Sequence, residues 1–379
     1  MSKKMNVGII GLGMIGRVHV NAYHAIPLCF PAAPVTAEMS ALLRSHPGTD
    51  EFIQAAGFDV VTTSPDEFFK APLDLVDICT PNDLHKDEAL AAIERGIPVY
   101  CEKPLARSLD EARNMAEAAR TKGVLTHTAF VHYYVPAIRQ IKALVASGEL
   151  GEIYNFRAHI FHGSYLDRNR PMSWRLRRAE SGGGAFADLG AHLVFSVRFL
   201  MGDVAAVRAD SRTFIKERPV TKGSDKLEKV DVDDWMHCTL ELKGGQIGEL
   251  EVTRVAGGYG EAAMLEVFGS KGSAVYDMAQ PDQARYFDAG RGQWITGSLP
   301  MFSSENDRPL EAIYPNPKFS QGRMTDVHMA SVYDFLQYIA EGKPSPLNFD
   351  TALAVEEVLA AAYASAARGG ERLTLPFAD

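Results

Sequence analysis

Short apolar runs alternate with segments of helical period over the first third of the chain. Runs at 5–10, 35–43, 75–79, 98–101 and 124–127 predict strands, and apolar residues at helical spacing predict helices over 14–24, 82–95 and 109–121. The helix that starts at Asn82 has a stop signal in Gly96 with Pro98 just beyond. Strands separated by helices of this length predict βαβ units and a parallel, doubly wound sheet.

Past residue 130 the rhythm changes. A helix is predicted over 136–146 and a strand over 152–161, followed by a polar loop at 162–181 and the triple glycine Gly182–Gly183–Gly184. Another helix is expected to follow through Leu200. Five β-type runs then succeed one another without intervening helices, at 205–214, 233–242, 246–255, 262–268 and 273–276. The Lys243–Gly244–Gly245 break between two of them reads as a hairpin turn. Such a succession predicts an antiparallel sheet, hence an α+β second domain. Residues 278–325 are irregular and rich in Pro and Gly, and helices over 326–341 and 351–367 close the chain. A two-domain division at 1–128 and 129–379 is expected.

Composition narrows the class. At 379 residues with 23% charged and 46% apolar positions, the chain has material for more than one core, which excludes a disordered or disulfide-stapled design. Its 39 basic against 48 acidic residues leave a net charge of −9, the wrong sign for a nucleic-acid partner. Cys29, Cys79, Cys101 and Cys238 form no C-x-x-C pair and sit in apolar runs, as reduced buried thiols do. No run reaches the roughly 20 apolar residues of a membrane span. Lys3 and Lys4 precede an apolar stretch that superficially resembles a secretory leader. Gly8, Gly11, Gly13, Gly16 and Arg17 interrupt that stretch and no small-residue cleavage site follows, so it reads as mature structure of a cytoplasmic protein.

Candidate chemistry sits where the predicted strands end. Gly11-Leu12-Gly13-Met14-Ile15-Gly16 follows the first strand and opens a helix, the context in which G-x-G-x-x-G binds a dinucleotide. The first glycine permits the tight turn, the second the approach of a pyrophosphate and the third close helix–strand packing. An NAD-selective site places an acid at the end of the second strand. Glu38 comes too early for that, while Arg44 and Ser45 stand at the end, where a guanidinium suits a 2′-phosphate; this leans slightly to NADP.

Two further strand ends carry Thr80-Pro81-Asn82-Asp83-Leu84-His85 and Glu102-Lys103-Pro104. A lysine near a cationic nicotinamide has its ammonium form disfavoured and can exchange a proton with a substrate hydroxyl as hydride moves; a surface lysine paired with Glu102 is the alternative. Asp188 and His192, four apart behind the triple glycine, share a helix face, and a carboxylate beside an imidazole can raise its basicity. The glycines let a ligand or another backbone approach that helix start closely. A metal site using Asp188, His192 and a further His such as His162 has no recognised ligand spacing behind it, so no metal is expected.

These motifs together resemble the glucose–fructose oxidoreductase, inositol dehydrogenase and rhizopine-catabolism family, Gfo/Idh/MocA, of NAD(P)-dependent oxidoreductases. The resemblance spans nearly the whole chain. It implies an N-terminal Rossmann domain plus a C-terminal α/β domain with a large, mostly antiparallel sheet, which commonly serves as a dimer or tetramer interface. It assigns Lys103, Asp188 and His192 as catalytic. Lys103 orients the substrate hydroxyl and takes part in proton transfer, and His192 acts as general acid/base beside the Asp188 carboxylate. It places the fingerprint Gly11, Gly13, Met14, Ile15 and Gly16 along the cofactor with Pro81, Asn82, His85 and Glu102; Arg44, read from the end of the second strand, and Thr80 and Lys103 at the other strand ends are expected beside it.

The polar loop lies between the first strand of the second domain and the helix of Asp188. Its Tyr165, Trp174 and Arg175 suit a polyhydroxylated ring, with hydrogen bonds for hydroxyls and an aromatic face for the C–H side. The expected activity is hydride transfer between NAD(P) and a sugar, anhydrosugar or inositol-like polyol. A sugar-processing enzyme that oxidises transiently with a retained cofactor, and a non-catalytic nucleotide-sensing regulator, stand as alternatives.

Overall fold

The structure, a computed structural model, describes residues 2–297, 299–304 and 307–377. Two compact units are formed. The first takes residues 1–106, 110–134 and 304–353, and the second takes 107–109, 135–303 and 354–379. The boundary expected at 128/129 assigns residues 304–353 to the second domain, whereas internal contacts group them with the first. A long-range return of this kind leaves no mark in local periodicity.

In the first unit β1 (Lys3–Ile10), β2 (Val35–Leu43), β3 (Val60–Thr62), β4 (Leu75–Ile78), β5 (Val99–Cys101) and β6 (Thr126–Thr128) form one sheet in the order β3-β2-β1-β4-β5-β6. Every pairing in it is parallel. β4 is buried along its whole length, as a strand covered on both faces must be. The helices are α1 (Met14–Cys29), α2 (Glu51–Ala56), α3 (Pro65–Phe68), α4 (Asn82–Glu94) and α5 (Leu109–Lys122). α1 runs five residues beyond the predicted end and contains Pro27 in its last turn. The order reverses between β1 and β4, and ligands bind at such a switch point, outside the carboxyl ends of the strands. The helix Arg323–Glu341, late in the chain, packs on α1.

The second unit opens with α6 (Pro136–Ser147), then β7 (Ile153–Phe161), α7 (Arg178–Ser181) and α8 (Ala191–Met201). Next come β8 (Val204–Arg212), β9 (Glu217–Pro219), β10 (Leu227–Lys229), β11 (Trp235–Leu242), β12 (Ile247–Thr253), β13 (Ala262–Gly269) and β14 (Gly272–Asp277). β15 (Arg285–Asp288) and β16 (Gln293–Ile295) follow, inside the segment expected to be irregular. α9 (Arg323–Glu341) belongs to the first unit. α10 (Phe349–Ala367) and β17 (Leu373–Thr374) close the chain.

The large sheet runs β16-β15-β14-β13-β7-β12-β11-β8-β17. It is mostly antiparallel, as expected, with one parallel pairing, that of β12 with β7. These two strands are joined by the long excursion through α8, not by a hairpin, so their relative direction is free of the local rule. Strict alternation buries one face; Met236, Cys238, Leu240, Leu250 and Val252 point inward there. The run Arg178–Met201 is apolar enough to be a membrane-span candidate, but 67% of that apolar window is buried inside the structure, as befits a core helix.

Candidate active site

The glycine loop of the first unit is shaped for a close-approaching anion. Gly11 has φ +88°, and a Cβ there would lie 2.9 Å from Thr80 Cγ2. A Cβ on Gly16 would lie 2.4 Å from the Gly11 carbonyl oxygen, so the turn closes on the helix only with glycine. A Cβ on Gly13, by contrast, would meet nothing within 4 Å. Gly13 caps α1 without any side-chain hydrogen bond, and the first turn holds no acid. The sixteen-residue α1 thus presents its N–H groups and positive dipole end across an open glycine, which fits a pyrophosphate. Met14 is exposed and Ile15 half-buried beside it.

At the end of β2, Arg44 is half-buried and donates to the Gly48 carbonyl over 3.2 Å. Glu38 lies within the strand and is ion-paired with Lys4.

The other two strand-end segments are held against each other by His85. Its ring is fully buried, with Nδ1 3.2 Å from the carbonyl oxygens of both Pro104 and Leu105 and Nε2 3.0 Å from that of Thr80. Burial lowers its pKa. Thr80 Oγ1 donates to Glu88 Oε2 over 2.5 Å. Burial pushes that carboxyl up to about 7, with Asp83 and Asp87 adding to the rise against the Thr80 hydrogen bond. Pro81 caps α4 and Asn82 begins it, buried. Glu102 turns inward, with Oε1 3.1 Å from His19 Nε2 and Oε2 accepting the Lys103 amide at 3.1 Å. Lys103 itself is half-buried and joined to Pro104 by a cis peptide bond.

In the second unit the triple glycine admits another backbone. A Cβ on Gly182 would lie 2.2 Å from the Arg107 carbonyl oxygen, on Gly183 2.4 Å from the Tyr363 hydroxyl, and on Gly184 2.1 Å from the Asp233 carbonyl oxygen. Of the two approaches the sequence allowed, the structure shows the chain's own. Asp233 accepts the N–H groups of Gly184 at 2.8 Å and Phe186 at 2.9 Å through its two carboxylate oxygens. The π-helical turn Phe186–Gly190 starts there and carries Asp188; α8 continues it with His192 in its first turn. Such π turns recur at functional sites because they re-aim side chains out of helical register. Asp188 and His192 are both half-buried.

The polar loop is anchored from beneath. Tyr165 is 7% exposed, and the guanidiniums of Arg170, Arg254 and Arg218 lie 4.1, 4.8 and 5.9 Å from its ring centre. Arg218 donates to the carbonyl oxygens of Tyr165 at 2.5 Å and Asp167 at 2.7 Å. Arg254 pairs with buried Asp234 at 3.0 Å. Trp174 and Arg175 are half-buried, the guanidinium 4.2 Å over the indole. His162, at the end of β7, lies within electrostatic reach of Asp188: burial lowers its pKa, and the Asp188 carboxylate opposes that. Its Nδ1 is 2.8 Å from the Ser164 hydroxyl.

Residues 5–130 match the oxidoreductase family with NAD-binding Rossmann fold, and residues 138–275 match the GFO/IDH/MocA C-terminal domain. Levoglucosan dehydrogenase of Pseudarthrobacter phenanthrenivorans is 31% identical over 353 residues, 90% of each chain.

The chain belongs to the GFO/IDH/MocA oxidoreductases.

Myo-inositol 2-dehydrogenase of Thermotoga maritima, another relative, is 25% identical over 90% of each chain. Among solved structures, levoglucosan dehydrogenase in complex with NADH and levoglucosan superposes with a TM-score of 0.89 at 31% identity, covering 99% of this chain and 100% of that one. This GFO/IDH/MocA chain therefore carries an NAD-binding Rossmann domain and is an oxidoreductase; the lean toward NADP gains no support. Three residues that shape these segments carry no local signal in the sequence. The pattern predicts Asp233 as the first residue of a strand and Tyr363 inside a helix, and gives His19 no partner. The Asp233 and Tyr363 contacts with the glycine helix span 47 to 179 positions.

Proposed function

We propose that this chain is a dehydrogenase or reductase that moves hydride between a CH–OH carbon of a sugar, anhydrosugar or inositol-like polyol and NAD(H). Its end-to-end similarity to levoglucosan dehydrogenase carries this reading of the substrate. The nicotinamide, when bound, supplies the hydride acceptor or donor; this chain supplies binding and proton handling. Gly11, Gly13 and Gly16, with the amides of Met14 and Ile15, cradle the pyrophosphate. Thr80, Pro81, Asn82 and Glu102 line the cofactor, and His85 ties their segment to that of Lys103. Arg44 stands where the ribose end is read, so NADP belongs in the assay beside NAD.

Lys103 Nζ holds the substrate hydroxyl and exchanges its proton, and His192 acts as general acid/base while Asp188 orients it and the substrate. His162, within electrostatic reach of Asp188, adds a polar group beside that carboxylate. Trp174 and Arg175 face the sugar, and Tyr165 keeps their loop in place from below while contributing to the wall. The protein works in the cytoplasm as a homodimer or homotetramer. The outward face of the large sheet supports the assembly: it aligns Phe161, Trp235, Ile247, Met264 and Phe268 with His159 stacked on Phe161 at 4.3 Å.

The test is reduction of NAD and NADP over levoglucosan, other anhydrosugars, aldoses and inositols, with Lys103→Met and His192→Asn in parallel. Turnover that each substitution lowers about 100-fold or more is expected. Silence across the panel, with NADH still bound, would turn the reading to transient oxidation by a retained cofactor or to a regulator.

A further inference from the structure

Behind the carboxyl ends of β4 and β5 lies a buried polar cluster with no part in the glycine loop. His19 of α1, Asp77 of β4, Glu102 after β5 and His328 of α9 meet there, with His19 and Asp77 both 0% exposed. His19 Nδ1 lies 3.0 Å from Asp77 Oδ2; Nε2 lies 3.1 Å from both Glu102 Oε1 and His328 Nδ1. The remaining groups around the ring come from every packed element. Tyr23 of α1 donates to Asp77 Oδ2 at 3.0 Å, Cys79 Sγ is 3.2 Å from His19 Nδ1, and Tyr100 of β5 meets the ring edge-on at 5.3 Å.

A neutral imidazole has one N–H and can serve one carboxylate; an imidazolium donates from both nitrogens. Two carboxylates facing one ring away from water therefore demand the charged form, since an uncompensated buried anion is far costlier than a matched one. We infer that His19 is a positioning residue: doubly protonated, it clamps Glu102 between itself and the Lys103 amide and so fixes the turn that presents Lys103. The electrostatics agree. Burial alone would depress the ring, but Asp77 and Cys79 beside it raise its pKa well above the ordinary value. Burial likewise pushes Glu102 up, and the hydrogen bond and charge of His19 bring it below the usual carboxyl value. His328, driven down to about 3 by burial and by His19, stays neutral as a second acceptor for the Nε2 proton. Two sets of three are spaced as metal ligands, His19 with Glu102 and His328 and His19 with Asp77 and Cys79, but protons on both ring nitrogens occupy the lone pairs a cation would need.

The role in catalysis rests on the proposed function; the charge state does not, and the two are tested apart. In full-length, cofactor-free protein labelled with [15N]histidine, one imidazolium is expected to persist at pH 8, above the range where an ordinary histidine loses its proton. It should vanish in His19→Gln and titrate to neutral below pH 8 in Asp77→Asn, the variant that serves if His19→Gln does not fold. No imidazolium at pH 8, or a stoichiometric divalent cation in the purified protein by mass spectrometry, overturns the inference. In turnover with NAD and the best substrate of the panel, His19→Gln leaves Glu102 without its counter-charge. The acid limb of kcat should move up by about one pH unit or more. At pH 7 kcat should fall about tenfold, with KM little changed and recovery at pH 9. If Lys103→Met is inactive and the His19→Gln profile overlays the wild type, positioning is refuted while the proposed function stands. If Lys103→Met stays active, the proposed function fails and the NMR result stands alone.

Discussion

The Tyr363 hydroxyl donates to Asp233 Oδ1 over 2.8 Å and accepts the amide N–H groups of Gly184 and Ala187, each at 3.0 Å. One donor and two acceptor positions exhaust what a phenol offers. The Asp233 carboxylate takes Phe186 N–H as well, so two side chains saturate the start of the turn that carries Asp188. Burial and the adjacent carboxylate raise the Tyr363 pKa well above its usual value, which keeps the donor in place. Tyr363→Phe leaves the Ala187 N–H buried without its acceptor and should cost about 1–3 kcal/mol in denaturant unfolding. NADH affinity, set in the other unit, should hold while kcat falls. An unchanged unfolding midpoint together with an unchanged kcat would refute the capping role.

Gly13 and Gly16 separate a loop kept open for a ligand from one kept open for its own backbone. Ala at 16 sets a Cβ 2.4 Å from the Gly11 carbonyl oxygen, so the turn must shift, at about 1–3 kcal/mol. Ala at 13 meets nothing within 4 Å and its φ of −73° suits any residue, so stability should change by less than about 0.5 kcal/mol. If the open side of Gly13 is where the pyrophosphate passes, Gly13→Ala nonetheless weakens NADH binding about tenfold or more. Fluorescence titration beside thermal unfolding distinguishes the cases, and a Gly13→Ala protein that binds NADH as tightly as wild type would dismiss the cradle.

The contrast between these glycines also marks what the sequence could convey. β2 was predicted at its observed limits because nine residues ending at Leu43 carry an unbroken apolar core side. The pieces between β2 and β4 were missed because α2, β3 and α3 are only six, three and four residues long, too short for a period to register. The triple glycine drew notice, yet its partners Arg107, Asp233 and Tyr363 lie far away in sequence. His19 sits on the buried side of α1, where an isolated histidine carries no pattern of its own. Strand ends and glycine turns are local events and were legible. Charge networks closed by α9, and a parallel pairing made across the α8 excursion, depend on topology and were not.

Glu88 gives the folded protein a pH dependence near neutrality. Its carboxyl stands at about 7 in the fold against an ordinary 4.5, chiefly through burial. Below pH 4.5 folded and unfolded chains both hold the proton. Between 4.5 and 7 the unfolded chain ionises first, so this group's contribution to stability is lost as pH rises and levels off above 7. The full shift corresponds to about 3 kcal/mol, and residual contact with water brings the expected loss to about 2. Glu88→Gln keeps an acceptor for Thr80 and removes the titration. The variant should match wild type at pH 4 and be more stable by about 2 kcal/mol at pH 8.5. Parallel stability curves for the two proteins across this range would exclude Glu88 as the source.

The outward face of the large sheet makes the last prediction. On β12, β7 and β13 the outward positions mix Ile247, which is 48% exposed, and half-buried Phe161, Met264 and Phe268 with few charges: Arg157 pairs with Glu266, and Glu249 lies 3.8 Å from His237 of β11. Trp235 donates to Glu251 over 2.7 Å and so lays its ring along the face. Paired charges and flat aromatic rings leave an apolar surface with modest desolvation cost, the composition expected of a face that meets its own copy. Ile247→Asp with Met264→Asp puts unpaired anions opposite each other across a two-fold contact, where like charges are destabilising. Light scattering should give a dimer or tetramer for wild type and a smaller species for the double variant, with NADH affinity retained. A wild-type monomer at micromolar concentration would rule out the assembly, and an unchanged mass for the double variant would move the contact to another surface.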